Sequence, residues 1–265
     1  MLEKNKIYNG DSKEVLKTFP DNCIDLTVTS PPYDNLRTYN GFTFDFENIA
    51  KELYRVTKQG GVVVWVVGDA TIKGSETGTS FKQALYFKEI GFNLHDTMIY
   101  RKKNPMPVKS NRYLPCFEYM FILSKGTPKV VNLIRESTQA TGTEKYTGTQ
   151  QENGKFGYYG KLRNLERDRY NVWDYKVGSN QTTSDKVAFE HPAIFPEKLA
   201  EDHIISWSNE GDLILDCFAG SGTTLKMAEK NNRDWVGIEI SQEYINIAEQ
   251  RLEDLREQNK FKLVI

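Results

Sequence analysis

The segment Leu213-Ile214-Leu215-Asp216-Cys217-Phe218-Ala219-Gly220-Ser221-Gly222-Thr223-Thr224 constrains the fold of this chain more than any other. An apolar run ends in an acid, a turn of small residues follows, and a helix-forming stretch begins. A strand that passes through a tight turn into a helix is the repeating unit of α/β folds, where parallel strands need crossovers that pack back on the sheet. The glycines let the backbone take positive φ and approach a ligand closely, and the helix start offers N–H groups and partial positive charge. G-x-G alone also suits a turn with only packing duties, or a nucleotide phosphate site.

The remainder of the sequence repeats the alternation. Lys6 to Asn9 reads as a strand, Ser12 to Phe19 as a helix and Ile24 to Thr29 as a strand. Asp45 to Val56 has helical spacing, and Gly60-Gly61 is expected to close that element before Val62 to Val67, whose β-branched residues and Trp65 suit a strand buried on both faces. Phe81 to Ile90 reads as a helix, and Phe92 to Arg101 and Glu118 to Ser124 as strands. Between Gly126 and Asp185 periodicity fades. It resumes with helices at Glu197 to Trp207, Thr223 to Lys230 and Gln242 to Gln258, and strands at Leu213 to Asp216 and Trp235 to Glu239. The pattern predicts a mainly parallel sheet with helices on both faces.

Two features favour S-adenosylmethionine over a phosphate at the glycine loop. The loop lacks the G-x-x-x-x-G-K-[ST] pattern, and the next strand ends in Glu239, placed to accept hydrogen bonds from a ribose. With Ser241 beside it, Glu239 also suits a place next to a helix N-cap. A second site candidate, Thr29-Ser30-Pro31-Pro32-Tyr33, follows the strand ending at Thr29. Two consecutive prolines fix the turn and donate no N–H, so carbonyl oxygens and the Ser30 hydroxyl are available to grip an exocyclic amine while Tyr33 stacks on a base. Read in isolation, the string serves equally as a structural turn.

No apolar run approaches the roughly 18 residues of a membrane helix, and Met1 to Asn9 lacks the apolar core of a signal peptide, so a cytoplasmic protein with no membrane partner is expected. Cys23, Cys116 and Cys217 and His95, His191 and His203 are widely spaced, which argues against a metal site or a disulfide framework. The net charge of −1 hides an asymmetry: Arg101 to Lys176 holds 15 Lys and Arg against 7 Asp and Glu. Within and near it, Arg37, Arg101, Lys102, Lys103, Lys109, Arg112, Lys161, Arg163, Arg167 and Arg169 are candidates for neutralising phosphates. A solvated charged surface gives the same composition.

The S-P-P-Y loop and the downstream F-A-G-S-G-T-T loop together resemble the amino-methylating DNA methyltransferases. The catalytic motif comes first and the cofactor loop near the C-terminus, an order similar to the permuted β group of that family. His191-Pro192-Ala193-Ile194-Phe195-Pro196-Glu197-Lys198-Leu199 resembles its remaining cofactor-side motif, and Asn9-Gly10-Asp11 the early segment whose acid lies near the adenine of the cofactor. Cys217 departs from the proline usual there. The resemblance implies a Rossmann-like, seven-stranded α/β core that uses S-adenosylmethionine and releases S-adenosylhomocysteine, without a metal. It implies catalytic residues Ser30, Pro31, Pro32 and Tyr33. Around the cofactor it implies Asp11, Thr29, His191, Pro192, Phe195, Lys198, Asp216, Phe218, Ala219, Gly220, Ser221, Gly222, Thr223, Glu239 and Ile240. Residues 1–103 and 186–265 would be the catalytic and cofactor halves, and 104–185 a target-recognition insertion that includes a core strand near 118–124.

The expected reaction is methylation of a flipped base in double-stranded DNA, with a cognate restriction endonuclease as a further partner and a monomer or homodimer as the assembly. Ser-Pro-Pro-Tyr variants of the family lean toward cytosine N4, and adenine N6 is the alternative. Rival readings are an RNA or protein-amide methyltransferase, an inactive DNA-binding module, and carbon-5 methylation through Pro115-Cys116. Cys116 leads into an apolar strand and reads as a small buried residue instead.

Overall fold

A computed structural model describes residues 2–32, 44–107, 111–141, 143, 149–150, 156–157, 164–178, 180–191 and 193–262. The chain divides into two compact units, one formed by Met1–Asn132 with Asn171–Ile265 and the other by Leu133–Tyr170.

The larger unit is built on an eight-stranded sheet. Its strands are β1 (Lys6–Asn9), β2 (Ile24–Thr29), β3 (Thr57–Val67), β4 (Asn93–Lys102), β5 (Phe117–Ser124), β6 (Val172–Tyr175), β7 (Leu213–Asp216) and β8 (Asp234–Glu239). The spatial order is β1-β8-β7-β2-β3-β5-β4-β6. Strands β1, β8, β7, β2 and β3 pair in parallel, β5 runs antiparallel to both β3 and β4, and β6 pairs in parallel with β4. Among the described residues six α-helices accompany the sheet: α1 (Ser12–Leu16), α2 (Phe46–Val56), α3 (Thr79–Glu89), α4 (Glu197–Trp207), α5 (Thr223–Lys230) and α6 (Gln242–Lys262).

The buried residues follow the sequence pattern closely. Val62 to Val67 are all buried, as a strand covered on both faces requires. In α2, Ile49, Leu53 and Val56 recur at spacings of four and three and enter the core, while Asp45 caps the helix by accepting from the Asn48 N–H. Trp65 is the largest fully buried side chain, held by a hydrogen bond from its Nε1 to Gln83 Oε1 (2.8 Å) and by edge contact with Phe87.

Two local expectations change. Gly60-Gly61 does not close a helix: α2 ends at Val56, and β3 starts at Thr57 and runs through the pair. Gly60 has a φ of +80°, and a Cβ on Gly61 would lie 2.9 Å from the Asp25 carbonyl, so the glycines allow an irregular pairing with β2. The eighth strand, β6, lies in the stretch that reads as aperiodic. Its Trp173 and Tyr175 are buried while Val172 is exposed, an alternation too short to stand out among polar neighbours.

Among its described residues the smaller unit contains two antiparallel ribbons, Arg135–Ser137 with Glu166–Asp168 and Thr149–Gln150 with Phe156–Gly157. No helix among the described residues is long and apolar enough to cross a membrane.

Candidate active site

Because β1, β8, β7 and β2 are parallel, their C-terminal residues Asn9, Glu239, Asp216 and Thr29 open on one edge of the sheet. The order of connection reverses on either side of the β7–β2 pair, the position where open α/β sheets take ligands.

Thr29 Oγ1 donates to Asp216 Oδ1 at 2.7 Å, so the strand carrying Ser30 is bonded side chain to side chain with the strand carrying the glycine loop. Asp216 also accepts from the Phe218 N–H (3.1 Å). Full burial pushes its carboxyl up to about 6; the bonds from Thr29 and Phe218 oppose that rise, and the nearby Glu239 adds to it. Cys217 is buried with its thiol raised by desolvation, which makes it an inert packing group, and the Ser12 hydroxyl of α1 donates to its carbonyl.

The glycine loop turns at Gly220 (φ +49°) and Gly222 (φ +74°). A Cβ on Gly220 would lie 2.8 Å from His191 Nε2, and one on Gly222 would lie 2.7 Å from the Ala248 Cβ of α6. Gly222 is the N-cap of α5 and brings no side chain to its first-turn N–H groups. Glu239 Oε2 accepts from the Gly220 N–H (2.8 Å) and Oε1 from the Ser241 N–H (2.9 Å), and burial raises its carboxyl. Each carboxylate oxygen retains a second lone pair for a ligand hydroxyl. Asp11 caps α1 through the Lys13 N–H (2.8 Å), just beyond β1. Three carboxylates at neighbouring strand ends would repel a phosphate and suit hydroxyls and a cation, so these residues fit S-adenosylmethionine.

The His191 ring meets Tyr244 edge to face at 4.3 Å, and its Nδ1 accepts from the Ala193 N–H. Phe218 packs edge-on against Phe44 (5.5 Å) and Trp65 (6.3 Å). Ala219 is tied to β8 through the Ile238 carbonyl (2.9 Å), and Ile240 follows directly on Glu239. Pro31 is buried, with Ser30 and Pro32 half-buried beside it; Phe195 is half-buried on the segment after His191. Lys198 is exposed on α4 and pairs with Asp202 (2.6 Å) and Glu201 (3.1 Å) of its own helix. Tyr33, Arg37, Lys109, Lys161, Arg163 and Pro192 lie outside the described residues.

Several of the remaining candidate cations are paired with acids. In the larger unit Arg101 forks onto Asp174 (2.6 and 2.7 Å), Lys102 meets Glu118 and Lys103 approaches Asp174 (3.8 Å), while Arg112 reaches Glu76 (3.4 Å). In the smaller unit Arg167 pairs with Glu136 (2.8 Å) and lies over the Tyr170 ring, and the Arg169 N–H donates to the Ile134 carbonyl. Cys116, expected to be buried, is half-buried at the head of β5. Its backbone carbonyl is engaged by the Lys102 N–H, which holds it as a structural residue at the strand end.

The family described as DNA methylase, the N6 and N4 amino-methyltransferases, matches residues 24–250. The chain belongs to this DNA methylase family. The orphan methyltransferase M.BamHII of Bacillus amyloliquefaciens is 58% identical over 239 residues, covering 88% of this chain and 90% of the relative. The type II methyltransferase M.ScaI of Streptomyces caespitosus is 33% identical, covering 93% and 81%. Among solved structures, a putative DNA modification methylase of Thermus thermophilus, TTHA0409, complexed with S-adenosyl-L-methionine, shares 26% identity at a TM-score of 0.65, covering 94% of this chain and 93% of that one. The methylase is thus an S-adenosylmethionine-dependent DNA amino-methyltransferase, and the carbon-5 reading of Pro115-Cys116 falls. No group of acids, histidines and cysteines among its described residues could hold a metal.

Reading the sequence alone did not group four charged residues that meet against the glycine loop, although Glu197 lies in the motif that follows His191. Asp185, Glu197, Lys226 and Arg251 form one ion-pair network there. Their separations along the chain leave no local pattern by which to group them.

Proposed function

We propose that this methylase transfers the methyl group to the N4 amine of a cytosine flipped out of duplex DNA. The observation that carries the reading is the 2.7 Å bond from Thr29 to Asp216, which fixes the Ser30-Pro31-Pro32 turn against the start of the glycine loop. Adjacent strands lie about 4.8 Å apart, a separation suited to an acceptor base on β2 and a methyl donor on β7.

S-adenosylmethionine supplies, when bound, a methyl group on a sulfonium centre that leaves as the neutral thioether of S-adenosylhomocysteine. The chain's own residues do the rest. Flipping costs roughly a few kcal/mol, offset in part by stacking on Tyr33. The Ser30 Oγ and the Pro31 carbonyl accept the two amine hydrogens, drawing the nitrogen lone pair out of conjugation and aiming it at the methyl carbon. The rigid proline pair holds those acceptors in place, so the step depends on positioning and fixed dipoles. One amine proton leaves to water after transfer.

Ser30 supports cytosine over adenine. It is neutral and shorter than the aspartate of other family members, whose serine variants lean toward cytosine. The span 104–185 is read as the target-recognition region, with its lysines and arginines on phosphates and its tyrosines, asparagines and glutamines on base edges. The name orphan methyltransferase, borne by the 58% identical relative, favours a solitary enzyme over one with a dedicated endonuclease.

The test is incubation with S-adenosylmethionine and unmethylated mixed-sequence DNA, digestion to nucleosides and mass spectrometry. N4-methylcytosine is the expected product, lost in Ser30→Ala. N6-methyladenine would overturn the choice of base, and neither nucleoside would overturn the DNA assignment.

A further inference from the structure

Against the glycine loop lies a charged cluster that the proposed methyl transfer does not use. Arg251 of α6 is fully buried. Its Nε donates to Asp185 Oδ2 (2.9 Å) and its Nη2 to Glu197 Oε1 (2.7 Å). Its Nη1 donates to the Ser221 carbonyl and lies 3.2 Å from both Ser221 Oγ and Thr223 Oγ1. Lys226 of α5 closes the cluster, reaching the same Asp185 oxygen at 2.6 Å and the same Glu197 oxygen at 2.9 Å. Two cations thus face two anions. Burial acts to raise the Asp185 carboxyl, and the bonds from Lys226 and Arg251 outweigh it and hold the group below its ordinary range.

The positions of the two acids give this cluster a purpose beyond packing. Asp185 precedes and Glu197 follows the segment that carries His191 and Phe195, and the His191 ring occupies the space a Cβ on Gly220 would need. Arg251 therefore grips both ends of the His191 segment and, with a third nitrogen, the backbone of the loop that segment packs against. A hydrophobic contact could join α6 to α5 equally well, since buried ion pairs are weak devices for stability alone. It could not fix the Ser221 carbonyl, because only a directional donor does so.

We propose that Arg251 is a positioning residue for the cofactor: it sets the spacing between the glycine loop and the His191 segment, and with it the affinity for S-adenosylmethionine. The inference rests on the reading of that cleft as the cofactor site. It predicts that disturbing Arg251 acts on cofactor binding and spares the transfer step, whose residues lie on β2. A purely structural residue behaves differently. Its loss lowers the fraction of folded enzyme, which scales kcat and leaves KM and Kd unchanged.

The experiment uses the full chain and S-adenosylhomocysteine as a calorimetric probe, beside steady-state kinetics at a temperature well below melting. Arg251→Met is expected to raise the Kd for S-adenosylhomocysteine and the KM for S-adenosylmethionine at least about tenfold, with kcat within about threefold of the parent. Arg251→Lys keeps the charge but cannot reach both acids and the Ser221 carbonyl, so it should show an intermediate shift; if the Met variant does not fold, this variant carries the test. Asp216→Ala is the control for the site itself. Parent-like Kd and KM in Arg251→Lys, or a lowered melting temperature with KM unmoved, would overturn the proposal while Asp216→Ala still weakens binding. Unchanged affinity in Asp216→Ala would instead overturn the reading of the cleft, and this inference with it.

Discussion

Asp216→Asn removes a charge from a fully buried position while keeping the size of the side chain and an Oδ1 acceptor for Thr29 Oγ1 and the Phe218 N–H. The Asp216 carboxyl is raised from 3.8 to about 6 by burial. Between those values the folded protein holds a proton that the unfolded chain has released. Stability therefore falls as pH rises through the window, and the loss is complete above it. A rise of that size corresponds to about 3 kcal/mol in full. Lowering the pH from 8 to 5, short of general acid unfolding, recovers roughly half of it. The Asn variant has no such group, so its stability relative to the parent should decline by about that amount between pH 8 and pH 5. Urea unfolding followed by circular dichroism, on both proteins at both pH values and without cofactor, measures the difference, with the carboxylates remote from Asp216 cancelling. Equal pH dependence in the two proteins would refute the reasoning, because it would mean that the Asp216 carboxyl is ionised at no cost.

Other perturbations test neighbouring contacts. Thr29→Val deletes the bond to Asp216 without changing side-chain shape and should cost about 1.5–3 kcal/mol at pH 8 by urea unfolding, and less in an Asp216→Asn background; additive losses would deny the coupling. Gly222→Ala places a Cβ 2.7 Å from that of Ala248 at a φ of +74°, so a stability loss of about 1–3 kcal/mol is expected, and an unchanged melting temperature would show that α6 gives way freely. Arg101→Ala breaks an exposed pair with Asp174 and should alter stability by less than about 1 kcal/mol. If Arg101 neutralises a phosphate, the same variant lowers the salt dependence of DNA binding by about one unit of slope, and an unchanged slope would remove it from the interface.

The parts of the fold readable in the sequence are those whose cause is local. Val62 to Val67 announces a strand covered on both faces because every residue in it is apolar, and Ile49, Leu53 and Val56 announce a helix because their spacing matches its pitch. Strand β6 escaped notice since two buried residues, Trp173 and Tyr175, make too short a period to rise above the polar stretch around them. The candidate site divides along the same line. Ser30-Pro31-Pro32 and the Asp216-to-Gly222 loop are contiguous strings, and the strand ends that carry them are adjacent. The Arg251 network is invisible by contrast, because its members come from α4, α5, α6 and the turn before His191, and its basis is charge balance in a buried volume. Gly222 shows why a correct motif can carry an incomplete cause. Read from sequence, its missing side chain serves the approach of a ligand; in the fold, the nearest atom to a Cβ there belongs to Ala248 of α6. The helix that forbids a side chain at Gly222 also delivers Arg251 to the carbonyl of Ser221. Packing of α6 and the shape of the glycine loop are thus one constraint, and if that loop holds the cofactor as proposed, a substitution on the hidden face of α6 should be felt at the cofactor before it is felt at the base.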